Sequence, residues 1–196
     1  MVVMFKILHT VPSRRRPLVH RWHTRCFFLL TPLVLFCGSL PACSQRGNNS
    51  WDGVKAGVRG AYPSVPHVTV DELHDRLQGG AKIFVIDARE PDEYAVSHLK
   101  GAKQASHVQD AVALVEAYDA SVPLVIYCSV GYRSAALAEG LLKSGFTNVA
   151  NLEGSIFEWG NSGFPVYRGT QAVNVIHPFN QKWGRLMDAD LRWSRP

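Results

Sequence analysis

The stretch PLVIYCSVGYRSAALAEGLL, residues 123–142, decides how the fold is read. Its first five residues are a continuous apolar run without the alternation of a half-exposed strand, the pattern of a strand covered on both faces. Residues 133–146, RSAALAEGLLKSGF, are rich in the strong helix formers Ala and Leu and end on Gly145, a stop signal. Cys128 therefore stands at the carboxyl end of a strand, just ahead of a helix. Such a junction turns successive backbone N–H groups into one concavity, and the positive end of the helix dipole favours an anion there. A thiol at that point is held as thiolate and becomes nucleophilic near neutral pH. Gly131 lets the tight loop take backbone angles that other residues avoid. Arg133 can turn outward over the loop or inward as a strut to an acid. Ser134 can cap the helix or donate to the sulfur.

Outward from this junction, strand-like and helix-like segments alternate. In HVTVDELHDRLQGG (67–80), Thr69 and Glu72 have capping-box spacing, Val70, Leu73 and Leu77 form an apolar stripe, and two glycines supply the stop. KIFVIDAR (82–89) is a second buried strand, PDEY a short helical turn, and SHLKGAKQAS (97–106) an extended segment with a Gly turn. VQDAVALVEAYDA (108–120) reads as a helix, NVANLEG (148–154) as a third strand, and SIFEWGNSGFPV (155–166) as a last short helix with its exit. Alternation of this kind over about 100 residues predicts an α/β fold, with helices on both faces of a central, mainly parallel sheet. Ligand sites in such sheets form at the carboxyl ends of strands, and both Asp87 and Cys128 fall there.

Four motifs, in order, are VIDAREPDEYAVSHLKGA (85–102), VIYCSVGYRS (125–134), AALAEGLLKSGF (135–146) and NLEGSIFEWGNSGFPV (151–166). On these, from about Val68 to Val166, the chain resembles the single-domain rhodaneses, a family of sulfurtransferases. The resemblance implies a three-layer rhodanese-like sandwich. It implies that Cys128 attacks a sulfane-sulfur donor (thiosulfate, polysulfide or persulfide), keeps one sulfur as a persulfide and passes it to a thiol or to cyanide. The backbone of Ser129, Val130, Gly131, Tyr132 and Ser134 would cradle the persulfide, and Arg133 would close the loop. Asp87 and Arg89 would buttress the pocket, with Glu93 and His98 in a supporting hydrogen-bond shell. Glu153 would anchor the turn of the last motif and Trp159 would pack in the core. Sulfur exchange at a thiolate needs no cofactor. The histidines show no metal-ligand spacing, so no metal is expected.

Loop length separates this chemistry from phosphoryl transfer on the same architecture. Cysteine phosphatases use C-x₅-R to surround a tetrahedral phosphate, whereas four residues separate Cys128 from Arg133. The smaller ring suits a sulfur atom and argues against phosphatase or arsenate reductase activity. The loop has no basic residue besides Arg133, so a dianionic donor gains less than in thiosulfate-preferring relatives. The last motif reads LEGS where the family usually has LEGG, a change expected to be tolerated. The alternative reading is a catalytically idle binding or scaffold module in the cell envelope. The joint presence of Cys128, Gly131 and Arg133 favours the enzyme.

The 196 residues carry a formal charge of +5, but six of the 21 basic residues precede residue 43 and no acidic residue does. The remainder of the chain holds 15 basic and 16 acidic residues, near −1, with no basic run or basic-aromatic stripe, which argues against nucleic acid as a partner. The leader has basic residues, the apolar run FFLLTPLVLF (27–36) and a small-residue region, as an export signal does. LPAC (40–43) resembles a lipoprotein lipobox, in which Cys43 would be acylated and would hold the protein at a membrane. The expected organisation is a signal peptide over 1–42, a flexible Gly/Ser/Asn-rich tether over 43–65, the rhodanese domain over 66–167 and an extension over 168–196 packing on it. Cys26 and Cys37 would leave with the leader, so Cys128 is the one thiol of the folded part. An unpaired thiol in an exported, periplasmic or cell-envelope protein is a candidate reactive group. The extension contains HPFNQKWG (177–184), which could instead be a docking surface for an envelope protein.

Overall fold

The structure, a computed structural model, describes residues 50–194. The expected signal peptide, Cys43 and the first part of the expected tether lie outside the described residues. Five parallel strands make the central sheet: β1 (His67–Val68), β2 (Phe84–Asp87), β3 (Lys103–Gln104), β4 (Leu124–Tyr127) and β5 (Val149–Leu152), in the order β1-β5-β4-β2-β3. β4 is central, its four residues all buried, because both its faces are covered. The register sets Asp87 beside Tyr127, and so brings the ends of β2 and β4 together at the same edge of the sheet.

Side chains alternate across the sheet and divide the core in two. Val85, Val125 and Tyr127 face one layer with Leu73, Ile156, Phe157 and Trp159. Ile86, Leu124 and Ile126 face the other with Val115, Leu137, Ala138 and Leu141. The first layer includes α2 (Val70–Gln78) and α6 (Ser155–Asn161); the second is formed by α4 (Val108–Val115) and α5 (Tyr132–Lys143). The three-layer α/β sandwich expected from the strand–helix alternation is the fold found. α2 starts where the capping box indicates: Thr69 Oγ1 accepts from the Glu72 amide and Glu72 Oε2 from the Thr69 amide. A short helix, α3 (Pro91–Val96), follows β2 and carries Glu93.

The tether expected over 43–65 is corrected from residue 51 onward. Trp51–Ala61 is a helix, α1, with Ser50 as its N-cap. Val54 and Val58, four apart and so on one face, are buried in the domain. Lys55 pairs with Glu158 at 2.6 Å and Arg59 holds Glu153 through two bonds of 2.5 and 2.6 Å. A two-residue stripe in a segment with glycines at 53, 57 and 60 is too weak to announce a helix, and both acids that fasten it lie about 100 residues away. Gly57 has a packing reason, since a Cβ there would collide with the Tyr132 hydroxyl.

The C-terminal extension enters the core as well. An antiparallel hairpin, β6 (Val166–Arg168) and β7 (Gln171–Val173), bridges back to His98 through Tyr167. Beyond it Ile176, Met187 and Leu191 are buried, with Ile176 paired to Leu191 and Trp193 by backbone hydrogen bonds. A one-turn helix, α7 (Gln181–Gly184), and a 3₁₀ turn over Ala189–Leu191 complete it. Replacing Ile176 with Ala should lower stability by about 2–5 kcal/mol in urea denaturation and Ile176→Val by about 0.5–1.5 kcal/mol. A truncation cost near zero at Ile176 would mean that the extension is not part of the folding unit.

Candidate active site around Cys128

The loop after β4 is fastened from three sides. Its carbonyls at Cys128 and Ser129 accept from the Ile156 and Phe157 amides, the N-terminal turn of α6, at 3.1 and 3.2 Å. The Cys128 amide donates to Ser155 Oγ at 3.1 Å, and Ser155 Oγ donates to the Leu152 carbonyl at 3.0 Å. Ser155 makes both bonds from a left-handed backbone, φ 52°, a conformation rare outside glycine. Gly131 turns the chain into α5 at φ 117°, which a side chain would strongly resist, and Val58 of α1 packs against it.

The third fastening is Arg133. Its guanidinium turns inward, donating to Glu93 Oε2 and Oε1 at 2.6 and 2.9 Å and to Ser129 Oγ at 2.9 Å. Glu93 is buried, and the Ser129 hydroxyl also donates to it at 3.2 Å. Burial pushes the Glu93 carboxyl up, but the hydrogen bonds and charge of Arg133 outweigh it and hold it below the usual range. Burial likewise opposes the charge of Arg133, and Glu93 and the Cys128 thiolate more than compensate.

The thiol sits at the floor of this ring. Burial raises its pKa; the positive Arg133, then hydrogen bonds from Ser134 and Gly131, outweigh burial and bring it below that of an ordinary cysteine. The Gly131 amide donates to Sγ at 3.2 Å. The Ser134 hydroxyl donates to Asn151 Oδ1 at 2.6 Å, which leaves the Ser134 backbone amide as that residue's donor to the thiolate. The amides of the loop and of the first turn of α5 are the donors that cannot turn away.

Other expected site residues stand elsewhere. Asp87 and Arg89 are fully buried and do not line the cavity over the thiol. Arg89 Nε and Nη2 hold Asp87 at 2.9 and 2.7 Å, and Nη2 also takes the Ser97 carbonyl at 2.6 Å. Tyr127 donates to Asp87 at 2.6 Å and accepts from the Leu99 amide. These groups tie β2, β4 and the exit of α3 together behind the loop, one layer back from the cavity. His98 stacks on Tyr94 with ring centroids 4.0 Å apart and lines a different hollow with Lys100 and Tyr167. Glu153 anchors α1 through Arg59 rather than the turn after β5. Trp159 is in the core, with Nε1 donating to the Pro165 carbonyl.

Against this geometry the comparisons with known proteins are specific. Residues 69–162 match the Rhodanese-like domain. The thiosulfate sulfurtransferase GlpE of Pseudomonas paraeruginosa is 33% identical over 103 residues, covering 53% of this chain and 90% of that protein. The chain belongs to the rhodanese-like family. The probable adenylyltransferase/sulfurtransferase MoeZ of Mycobacterium tuberculosis is 33% identical over 94 residues, 47% of this chain, but the likeness spans only 24% of that protein. Among solved structures, a thiosulfate sulfurtransferase from Pseudomonas aeruginosa superposes with a TM-score of 0.51 at 23% identity, over 62% of this chain and 23% of that one, a likeness of fold.

In this rhodanese-like domain the cavity over Cys128 has a volume of about 140 Å³ and is lined by Cys128, Ser129, Val130, Tyr132, Arg133, Phe179 and Trp183. The last two come from the C-terminal extension. Sequence reasoning missed them and Ser155. The aromatics of HPFNQKWG stand out in the sequence, but nothing local says where they dock.

The depressed thiol pKa yields a signed prediction. Alkylation of Cys128 by iodoacetamide, followed on its own peptide by mass spectrometry, should reach half its maximal rate at a pH below the roughly 8.5 of a free cysteine. Arg133→Met removes the positive charge, so the midpoint should move up. A midpoint at or above that of free cysteine in the wild-type chain would mean that the loop does not stabilise a thiolate.

Proposed function

We propose that the chain is a sulfurtransferase that carries sulfane sulfur on Cys128. The observation that carries this reading is the thiol itself: its pKa is depressed, it lies at the floor of a small cavity, and its loop is clamped by Glu93–Arg133 on one side and by α6 on the other. Membership of a family with relatives named sulfurtransferase supports it.

In the loading step Cys128 Sγ attacks the outer sulfur of the donor. An Sγ–S bond forms, the donor's bond to that sulfur breaks, and the leaving group departs with the electron pair: sulfite from thiosulfate, a shortened polysulfide, or a thiolate from a persulfide. In the discharge step a thiolate or cyanide attacks the bound outer sulfur and the electron pair returns to Sγ. The two steps are exchanges at sulfur and balance without an external oxidant or reductant. The ring of amides that favours the thiolate also favours the terminal sulfur that loading leaves as an anion at the same end of the α5 dipole, and a proton taken up from solvent onto that sulfur readies it for attack. The chain's own residues supply the rest. Arg133 offsets the charge of the thiolate, Gly131 donates to it, and Ser155 fixes the amide of the nucleophile.

Intact-chain and peptide mass spectrometry after incubation with thiosulfate or polysulfide tests the reading. Cys128 should gain the mass of one sulfur atom, lose it on addition of cyanide, and gain nothing in Cys128→Ser. A Cys128 that alkylates readily yet stays bare with every sulfane donor would sink sulfur transfer, and the domain would then be a binding module.

We also propose that the protein acts outside the cytoplasm, at a membrane. The leader pattern and the lipobox-like LPAC ending on Cys43 support this. Radiolabelled palmitate should be incorporated into the wild-type chain and not into Cys43→Ser. Equal labelling of both would place the lipid elsewhere, and no labelling of either would leave a simple cleaved leader.

A further inference from the structure

We propose that Phe179 and Trp183 of the C-terminal extension make the cavity over Cys128 a seat for the uncharged organic group of a small thiol or hydropersulfide, and so set the specificity of the site. The inference rests on the sulfur-transfer reading above and names its substrate class.

The segment HPFNQKWG is built to hold these two rings in place. Phe179 stands at φ 58°, a left-handed conformation that is strained for an aromatic residue, with its amide bonded to His177 Nδ1 at 3.1 Å. Asn180 caps α7, its Oδ1 accepting from the Trp183 amide at 3.0 Å. Gly184 lies so close to Pro178 that a Cβ would come within 2.9 Å of the proline Cβ. Yet Phe179 is 44% exposed, so core packing does not explain its position. Backbone strain that ends in an exposed ring at the mouth of a reactive thiol is what a functional constraint leaves behind.

Electrostatics point the same way. Arg133 is the sole cation lining the cavity among the described residues. Its charge is compensated by the bidentate pair with Glu93, and the Phe179 ring covers it at 4.6 Å from the guanidinium carbon. Lys182 sits over the Trp183 ring at 5.5 Å and is not among the lining residues. A dianion such as thiosulfate therefore meets one guanidinium, already paired with Glu93 and covered by the Phe179 ring, and aromatic walls. An apolar group meets Val130, Tyr132, Phe179 and Trp183. The volume of about 140 Å³ suits one ring or a chain of similar size, since an apolar cavity of roughly 150 Å³ accommodates benzene.

With such a substrate the transfer is R–S⁻ plus Cys128–S–SH giving R–S–SH plus the Cys128 thiolate. The new bond forms between the acceptor sulfur and the transferred sulfur, the Sγ–S bond breaks, its electron pair returns to Sγ, and the proton stays on the transferred sulfur. Run backward, the same step loads Cys128 from a hydropersulfide.

The test is single-turnover discharge of persulfidated Cys128 in the full chain, read on its peptide, with two thiols: phenylmethanethiol, uncharged, and 3-mercaptopropionate, anionic. Each rate is divided by that of the same thiol with glutathione persulfide in solution. The wild-type ratio should favour phenylmethanethiol by tenfold or more. Phe179→Ala and Trp183→Ala should each lower that ratio severalfold, mainly by raising the half-saturating concentration of phenylmethanethiol. Phe179→Leu, which keeps an apolar wall, should restore part of it. A wild-type ratio near one, or one that neither truncation moves, overturns the inference while cyanide discharge of wild-type Cys128 leaves sulfur transfer standing. A Cys128 that never loads overturns both.

Discussion

Glu93 holds two parts of the reactive loop at once. Its carboxylate is buried, takes both guanidinium nitrogens of Arg133 and the Ser129 hydroxyl, and also closes a capping box with the Glu90 amide at the start of α3. Removing a carboxylate from water costs several kcal/mol, and only a near-ideal, multiply bonded partner offsets that. The geometry here meets the requirement, so the pair fixes the loop rather than merely decorating it. With Arg133 held inward, the loop amides face the sulfur, and the thiol's acidity results. Losing Arg133 would leave the buried Glu93 carboxylate unpaired.

Behind the loop the polar core is layered. Asp87, Arg89 and Tyr127 sit at the carboxyl ends of β2 and β4, fully buried, and bind one another and the backbone at Ser97 and Leu99. Burial works against the charge of Arg89, but Asp87 keeps it protonated; burial and the same carboxylate push the Tyr127 phenol far up, so it stays a neutral donor. This layer never reaches the cavity. It holds the segment bearing Glu93 at the right distance from β4, and the loop inherits that rigidity.

The two ends of the described chain then complete the site from outside the family's own span. α1 packs Val58 behind Gly131 and fastens to Glu153 and Glu158, whereas the extension places Phe179 and Trp183 over the thiol. The sandwich common to the family thus supplies the reactive sulfur, and the flanking segments supply the walls around it. The charge at the mouth is modest because Glu93 answers Arg133 inside and aromatic rings cover it outside.

Local patterns determined a great deal. Buried apolar runs, the Thr69–Glu72 capping box, the glycine stops and the strand–Cys128–helix junction are all short-range signals, and they sufficed for the α/β layers and for the nucleophile's place at a strand end. The inward turn of Arg133, the retreat of Asp87 and Arg89 into the core and the placement of His98 elsewhere were not legible, because each depends on a partner many residues away. The same holds for α1, whose two-valine stripe is weak until Glu153 and Glu158 are beside it, and for HPFNQKWG, whose rings have no periodicity to announce a destination. What the sequence by itself determined was the sheet and the thiol, through periodicity and spacing within a few turns. Only the tertiary structure decided which side chains close around that thiol, because burial, ion pairing and a roof of aromatic rings are properties of residues that meet across the fold.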